Sequence, residues 1–268
     1  PNILFIMSDD HAAHAMSCYG SRINKTPNLD RIANEGMRLD RCFCTNSICT
    51  PSRATILTGT YNHVNGVTTL DTPMDAGLQT FPKLLRESGY QTAVFGKWHL
   101  GEHKSFEFCP EGFDDWAVLP GQGFYHNPEF IFKGSRGPVQ RTVMGYVTDL
   151  ITDFSLDWLQ NRDRSCPFCL LYHHKAPHRH WNPDEKHAAM YLNEDIPEPD
   201  TLYDDYANRA SAAAAAEMRV GVHMTQLDMK CELPKNVSEH EMRKWAYQRY
   251  IKDYLRVIAS VDDNVGRV

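Results

Sequence analysis

An uninterrupted apolar run near the start of the chain constrains the fold more than any other feature. The residues of Ile3–Met7 are all apolar, without the polar alternation of a half-exposed strand. Such a run is typical of a parallel strand that is covered on both faces. Segments 91–95 and 168–172 are also predicted strands, and helical segments separate the three. The pattern therefore predicts an α/β fold, with a mainly parallel sheet flanked by helices.

Helical periodicity and helix-boundary residues mark the predicted helices, at 28–36, 50–59, 81–88, 145–160, 211–217 and 247–265. In the second of these, Thr50 is the expected N-cap, Pro51 the expected first helical residue, and Gly59 the expected end. The alanine-rich helix is expected to lie on the surface. Long loops are predicted at 102–142 and 182–205, which are rich in turn residues or proline.

The last helical stripe reaches the end of the sequence without a convincing cap. We therefore expect residues 1–268 to be the N-terminal portion of a larger catalytic domain, with the remaining C-terminal part to follow. Asp262, Asp263 and Asn264 lie within this stripe and are interpreted as scaffold rather than as site residues.

Composition and charge limit the classes of partner. The 28 basic and 34 acidic residues give a net charge of -6, which argues against a general nucleic-acid binder. No apolar run approaches the ~20 residues of a membrane span, so no membrane partner is expected. No signal peptide is present, and we expect an exported protein (periplasmic, secreted or lysosomal) whose signal is removed or not shown.

The eight cysteines are too few for a disulfide scaffold. Cys166 and Cys169 have the spacing of a redox motif or half of a zinc site. No second pair lies at zinc-ribbon spacing, and an apolar strand follows directly. We interpret both as ordinary core or loop cysteines.

Polar groups follow each of the three predicted strands. Asp9 and Asp10 follow the first, Lys97 and His99 the second, and the basic run 173–180 the third. In open α/β sheets, ligands bind outside the carboxyl ends of the strands. If the three strands are parallel, these groups meet at one edge of the sheet.

Adjacent carboxylates at Asp9 and Asp10 repel each other, and burying both requires a cation or strong hydrogen-bond donors. A hard divalent ion, Ca²⁺ or Mg²⁺, is the usual partner of such oxygens. The alternative is a solvated acidic turn. Two carboxylates do not complete a metal site, so further ligands must come from elsewhere.

Cys49 lies at a predicted helix start, where unpaired N–H groups and the helix dipole favour an anion. Arg53 adds a fork of donors suited to tetrahedral oxyanions. Lys97 and His99, two residues apart, point to the same side if their segment is extended. The alternatives are an inert buried cysteine and a solvated loop. Thiolate catalysis is also open, although the four-residue spacing of Cys49 and Arg53 does not fit a phosphatase loop.

These residues resemble a known family. Residues 49–59, CTPSRATILTG, resemble the C-x-P-x-R signature of the type I (formylglycine-dependent) sulfatases, of the alkaline-phosphatase-like superfamily. Residues 89–101 resemble its second signature, residues 1–10 its first strand with the metal pair, and Ala176-Pro177-His178 its later active-site histidine. The resemblance covers essentially the whole chain.

The resemblance implies a sulfuric ester hydrolase with a nucleophile made from cysteine. A formylglycine-generating maturation enzyme would oxidise Cys49, and the hydrate would attack sulfur and then expel sulfate by elimination. Asp9 and Asp10, with the group formed at Cys49, would bind Ca²⁺. The family's remaining metal ligands, an Asp with a neighbouring Asn or His, have no match here and are expected beyond Val268.

The resemblance also implies roles for the cationic residues. Arg53 would hold the formylglycine hydrate. Lys97 and His178 would bind sulfate oxygens, with His178 as candidate acid for the leaving oxygen. His99 would assist the second hydroxyl.

The substrate is expected to be a sulfated small molecule or glycan. Tyr125, His126, Trp181 and the run 174–180 suggest a wide, aromatic-lined cleft suited to sulfated sugars. The segments HHKAPHRHW and GQGFYHNP resemble N-acetylglucosamine-6-sulfatase-like enzymes. Two alternatives stay open, a phosphomonoester or phosphonate hydrolase of the same superfamily and a non-catalytic protein that binds sulfated glycans.

Overall fold

The computed structural model describes all 268 residues, and its centre is one six-stranded sheet. The strands are β1 (Ile3–Met7), β2 (Gln91–Lys97), β3 (Asp115–Leu119), β4 (Glu129–Phe132), β5 (Val139–Thr142) and β6 (Phe168–His173). Their order is β1-β6-β2-β3-β4-β5. The first four in this order are parallel to one another, and β4 runs antiparallel to both of its neighbours, β3 and β5. The predicted α/β fold is confirmed.

Eight α-helices accompany the sheet: α1 (Pro27–Glu35), α2 (Cys49–Thr58), α3 (Asn62–Asn65), α4 (Phe81–Glu87), α5 (Val147–Asn161), α6 (Ser211–Ala215), α7 (Gln226–Met229) and α8 (Glu239–Arg267). The predicted helices are therefore present, with shifted boundaries. None of the helices has both the length and the apolar character needed to cross a membrane.

Both faces of the sheet are covered at its central strands β6, β2 and β3, which explains why these lack polar alternation. The expectation that Ile3–Met7 is covered on both faces is wrong, because β1 lies at the sheet edge and Leu4 is 39% exposed. Neighbouring residues of β2 enter different cores, Val94 on one face and Phe95 on the other. Residues of α5 and α8 pack on the Phe95 side, and Leu57 of α2 packs on the Val94 side. This two-sided burial stabilises the parallel strands and fixes where they end.

The prediction of a continuous loop at 102–142 is wrong, because β3, β4 and β5 lie within it. Strand β3 is buried through its pairing with β2, whereas β5 is exposed along its whole length. Short strands among glycines and prolines carry little periodicity of their own. Their formation depends on pairing with the preformed sheet, which sequence-local signals do not report.

The predicted start of α2 is also wrong. The helix begins at Cys49 with Ile48 at the N-cap position, and no side chain caps it. The Thr50 hydroxyl instead donates to the Leu70 carbonyl at 3.1 Å, so a tertiary contact takes the group that was expected to cap. Pro51 is the third residue of the helix, a position at which a backbone N–H has no intrahelical acceptor. Proline therefore costs no hydrogen bond there.

Gly96 allows β2 and β6 to approach each other at the end of the sheet that carries the polar residues. Its φ is +108°, and a Cβ atom there would lie 1.9 Å from the His173 carbonyl oxygen. A larger residue would force the strands apart. This glycine therefore sets the spacing between the two strands next to Lys97.

Asp262 acts as scaffold, as the sequence predicts. Its carboxylate on α8 accepts hydrogen bonds from the backbone N–H groups of Asn28 and Leu29, at 3.1 and 2.8 Å. These groups belong to the first turn of α1, which has no side-chain cap of its own.

We expect Asp262→Ala to lower the free energy of unfolding by about 1–2 kcal/mol, measured by urea denaturation. Asp71→Ala, at an exposed carboxylate, is the matched control and should change it by less than about 0.5 kcal/mol.

Candidate active site

The carboxyl ends of β1, β6 and β2 meet at one edge of the sheet, because these three strands are adjacent and parallel. Asp9 follows β1, and Lys97 is the last residue of β2. The start of α2 adds Cys49 and Arg53. A cleft of about 580 Å³ opens onto Asp9, Asp10, Cys49 and Arg53. The convergence predicted from the sequence is therefore observed.

Asp9 is the centre of a buried ion-pair cluster. Its Oδ2 lies 2.7 Å from Arg53 Nη2 and 2.6 Å from Lys97 Nζ. Arg53 also donates through Nη1 to the Lys97 carbonyl. Burial alone would raise the pKa of Asp9, but the charges of Arg53 and Lys97 outweigh it and hold this pKa well below the usual range. Asp9 is therefore a carboxylate throughout the physiological range.

Cys49 places its sulfur between the negative and positive members of this cluster. Its Sγ lies 3.5 Å from Asp9 Oδ1 and 3.6 Å from Lys97 Nζ. Burial raises the pKa of Cys49, in spite of the nearby Lys97 charge. The side chain is a protonated thiol at neutral pH, so the geometry does not favour thiolate catalysis.

Asp10 lines the same cleft, and His178 lies next to Asp10. The Asp10 carboxylate is more than half exposed, and its Oδ2 lies 3.8 Å from His178 Nε2. Asp10 has a φ of +63°, and its carbonyl accepts a hydrogen bond from the Tyr254 hydroxyl at 2.8 Å. Burial, followed by the charge of Asp9, raises the pKa of Asp10.

The ring of His178 has a defined orientation. Its Nδ1 lies 2.9 Å from the Arg179 carbonyl, and because a carbonyl only accepts, Nδ1 carries the hydrogen. Nε2 is therefore the nitrogen directed toward Asp10, which lines the cleft. Burial, followed by the charge of Lys97, lowers the pKa of His178 to about 4, so the ring is neutral at pH 7.

His99 lies near the cluster, but not in the extended segment that the sequence reasoning assumed. Its φ is +55°, so the expectation that it points with Lys97 by simple alternation is wrong. Burial, then the charge of Lys97, lowers the pKa of His99 to about 3. Its Nδ1 is buried without a hydrogen-bond partner. No hydrogen bond joins it to Cys49 or Asp9.

Two polar residues of the site were missed by the sequence reasoning as individual candidates. Gln122 accepts a hydrogen bond from Lys97 Nζ at 2.6 Å. Lys175 is buried, its Nζ 3.0 Å from the Arg179 carbonyl and 5.0 Å from the centre of the Tyr125 ring. Burial, followed by the charge of Lys97, lowers the pKa of Lys175 to about 7. The only sequence signal for either was its place in a polar segment after a strand.

The expected aromatic lining of the cleft is wrong for two of its three members. Tyr125 and Trp181 are 2% and 5% exposed, so neither offers an open face to a sugar. The Tyr125 hydroxyl donates to the His178 carbonyl at 2.6 Å, and Trp181 packs edge-on against Tyr250. Both support the site from behind. His126 is exposed but lines a different cavity.

A divalent cation fits part of this donor set. One ligand atom each from Asp9, Cys49 and His178 lies within 4.8 Å of the others, and the exposed Asp10 carboxylate is adjacent. Oδ1 of Asp9 accepts only the weak thiol bond. Carboxylate oxygens suit Ca²⁺ or Mg²⁺ better than the soft thiol does.

The remaining cysteines and the end of α8 stay outside the site. All eight cysteines are free; Cys169 is buried within β6 and Cys166 precedes the strand. Asp263 contacts Lys186, and Asn264 donates to Asp149. Their interpretation as core and scaffold residues agrees with these contacts.

A histidine behind the site makes stability sensitive to acid. Both ring nitrogens of His174 are buried without partners, and burial lowers its pKa to about 3. The unfolded chain takes up a proton below its ordinary pKa of about 6.5, whereas the folded chain does so only near 3. Each pH unit between these values therefore favours unfolding by about 1.4 kcal/mol.

We accordingly expect the free energy of unfolding, measured by urea denaturation, to fall as pH drops from 7 to 4.5. His174→Leu should remove about 2–3 kcal/mol of that fall. The exposed His14, changed to Gln, is the control and should leave the pH profile unchanged. An unaltered profile in His174→Leu would assign the acid sensitivity to other groups.

Comparisons with known proteins agree on one family. The model of the sulfatase family matches residues 1–268. An N-acetylglucosamine-6-O-sulfatase of Bacteroides thetaiotaomicron is 40% identical, over all of this chain and 54% of that protein. The human N-acetylgalactosamine-6-sulfatase is 30% identical, over 72% of this chain and 41% of that protein. The chain thus spans about half the length of the curated relatives it matches.

Solved structures give the same result. A protein in complex with its substrate D-glucosamine-2-N,6-O-disulfate superposes with a TM-score of 0.89 at 40% identity, over all of this chain and 61% of that one. A phosphonate monoester hydrolase of Agrobacterium radiobacter has a TM-score of 0.70 at 19% identity, over all of this chain and 58% of that one, which shows the shared fold alone. Together with the residues that meet at the sheet edge, the family match over the whole chain leads to one conclusion: the chain belongs to the sulfatase family.

Proposed function

We propose that this chain carries the reaction centre of an enzyme that hydrolyses sulfate esters of amino sugars, with 6-O-sulfated glucosamine as the substrate class. The observation that carries the proposal is the half-buried Cys49 thiol, set between Asp9 and the cations Lys97 and Arg53. The relative that acts on N-acetylglucosamine 6-O-sulfate, and the neighbour bound to a sulfated glucosamine, support this substrate class.

The thiol itself is a poor nucleophile here, because burial raises the pKa of Cys49. Conversion of Cys49 to formylglycine by a maturation enzyme would supply a hydrated aldehyde oxygen as nucleophile. Lys97 would bind a sulfate oxygen next to this position, since its Nζ lies 3.6 Å from Sγ. Arg53 would hold Asp9 and the hydrate in register through its fork of donors.

Asp9 and Asp10 would hold a divalent cation, with Ca²⁺ favoured and Mg²⁺ as the alternative. The ion would withdraw charge from the sulfuryl oxygens. Ca²⁺ takes 6–8 oxygen ligands, so two carboxylates and an oxygen at position 49 form only part of its shell. Further oxygen donors from the remaining part of the protein belong to this proposal.

His178 would donate the proton to the leaving alcohol oxygen. The neutral ring has to gain a proton first, and a bound sulfate ester favours this because its negative charge opposes the effect of Lys97 on the pKa. The Arg179 carbonyl holds Nδ1, so the added proton would lie on Nε2, the atom on the Asp10 side of the ring. His99, with its unpaired Nδ1, would assist release of the product sulfate.

Two other functions make different predictions. A phosphomonoester or phosphonate hydrolase would share the fold, but its dianionic substrate favours more metal charge than one carboxylate pair holds. A non-catalytic sulfated-glycan binder would keep Cys49 as a thiol. Mass analysis of the peptide that contains Cys49 distinguishes that case from an enzyme.

We expect the matured protein to release sulfate from N-acetylglucosamine 6-sulfate and to hydrolyse 4-nitrophenyl sulfate at least about a hundredfold faster than 4-nitrophenyl phosphate, because the site charge matches a monoanionic ester. Initial rates at equal concentrations provide the measurement. A clear preference for the phosphate would favour the phosphohydrolase. Sulfate release from a galactosamine 6-sulfate alone would retain the activity but change the sugar.

A further inference from the structure

Gln122 brings an amide into the cation cluster from a loop that follows β3. Its Oε1 accepts a hydrogen bond from Lys97 Nζ at 2.6 Å. The same ammonium lies 2.6 Å from Asp9 Oδ2 and 3.6 Å from Cys49 Sγ. The Gln122 amide is therefore adjacent to the position at which a sulfuryl group would be held.

The chemistry of lysine fixes which way this amide faces. An ammonium group has three donors and no acceptor, so only the carbonyl oxygen of Gln122 can face Lys97. The Nε2 group is then the other arm of the planar amide, directed away from Lys97, with two N–H donors. Nε2 makes no hydrogen bond within the protein, and it is not among the buried unpaired atoms. A donor pair is thus oriented beside the cation site and available to a ligand.

The loop that presents Gln122 is held in place by its backbone conformation and by hydrogen bonds. Gly121 and Gly123 flank it with φ values of +56° and +63°, a conformation that favours glycine. The Gly121 N–H donates to Glu102 Oε1, and the other oxygen of Glu102 accepts from the Leu100 N–H, both at 2.9 Å. Glu102 is almost fully buried. One carboxylate therefore ties the Gln122 loop to the segment that follows Lys97.

We propose that Gln122 is a substrate-binding residue, whose Nε2 donates to an oxygen of the bound sulfate group while its Oε1 orients the Lys97 ammonium. The inference rests on the proposed function of this site as a sulfate ester site. A neutral amide adds donors to the cluster without adding a charge. It therefore complements the oxyanion without changing the ion-pair balance around Asp9.

Two substitutions separate the donor from the acceptor. Gln122→Met keeps the size and removes both hydrogen bonds; Gln122→Glu keeps an acceptor for Lys97 but replaces the donor with a negative oxygen. A hydrogen bond to a charged group corresponds to a factor of about 10–100 in affinity. We expect Gln122→Met to weaken binding of inorganic sulfate, titrated by calorimetry, by about tenfold, with KM for N-acetylglucosamine 6-sulfate raised by a similar factor. Gln122→Glu should lose more.

The matched control is Gln79→Glu, which adds the same charge at an exposed residue before α4 and should keep the wild-type sulfate affinity. Thermal unfolding of all variants reports whether they are folded. Unchanged sulfate affinity and KM in Gln122→Met would overturn the proposal, as would Gln122→Glu binding sulfate as well as Gln122→Met. A wild-type protein that binds sulfate without hydrolysing esters contradicts the proposed catalysis alone, and the affinity ratio still decides the role of Gln122. A wild-type protein that binds no sulfate contradicts both.

Discussion

Cys49→Ala should abolish turnover of sulfate esters while leaving the protein able to bind a sulfated ligand. Alanine carries no atom that can be converted into an oxygen nucleophile, and loss of a nucleophile lowers kcat by at least about 10⁴-fold. The cations proposed to hold the anion, Lys97 and Arg53, do not depend on the sulfur for their positions, since both are paired with Asp9. The measurement is kcat for N-acetylglucosamine 6-sulfate, together with Kd for the same compound.

The neighbouring Cys44 provides the control. It is exposed and lines the same cleft, and Cys44→Ala should keep wild-type kcat. Substantial residual turnover in Cys49→Ala would remove the nucleophile from this position. Loss of ligand binding with an intact thermal transition would show that the sulfur itself is needed to hold the anion, which the geometry does not predict.

Arg53→Lys should lower kcat/KM by about a hundredfold, although the charge is kept. Arg53 uses two nitrogens at once, Nη2 on Asp9 and Nη1 on the Lys97 carbonyl, and it is almost fully buried. A single ammonium cannot reproduce this fork. One partner would remain unpaired in a buried site, at a cost of about 1–3 kcal/mol.

Arg38→Lys is the control for this substitution. Arg38 forms an exposed pair with Asp40 at 2.7 Å, and such surface pairs contribute little to stability or to a distant site. Its kinetics should match the wild type. Near wild-type kcat/KM in Arg53→Lys would show that charge alone suffices and that the bidentate geometry has no role in the reaction.

The residues that meet at the sheet edge were predictable because residues that follow parallel strands in the sequence lie at the same edge of the sheet. An apolar run without alternation predicts a parallel strand, and polar residues such as Asp9 just after it must lie at the carboxyl edge, even though β1 is an edge strand and not the fully covered one expected. Lys97 follows the same rule. The placement of Cys49 and Arg53 depended on predicting a helix that begins next to Cys49. Pro51 and Gly59 indicated that helix, although its first residue was predicted one position too late.

What could not be predicted depends on contacts between distant segments. The Thr50 hydroxyl bonds to Leu70 rather than to its own helix. Tyr125 was expected at the cleft surface, but its hydroxyl reaches the His178 carbonyl, which buries the ring. Gln122 reaches Lys97 from a loop whose Gly121 N–H is bound by Glu102. No local sequence pattern indicates these partners. The sequence therefore predicts which residue types form the site, but not the hydrogen bonds between distant segments that support them.

We expect this protein to release sulfate only through the group made from Cys49. The most direct test compares two preparations of this protein, one made with a formylglycine-generating enzyme and one without, with the converted fraction read from the mass of the Cys49 peptide. Ion chromatography measures the sulfate released from N-acetylglucosamine 6-sulfate by each. We expect release in proportion to the converted fraction. Equal release from the unconverted protein, or none from a fully converted one that still binds the sugar sulfate, would contradict it.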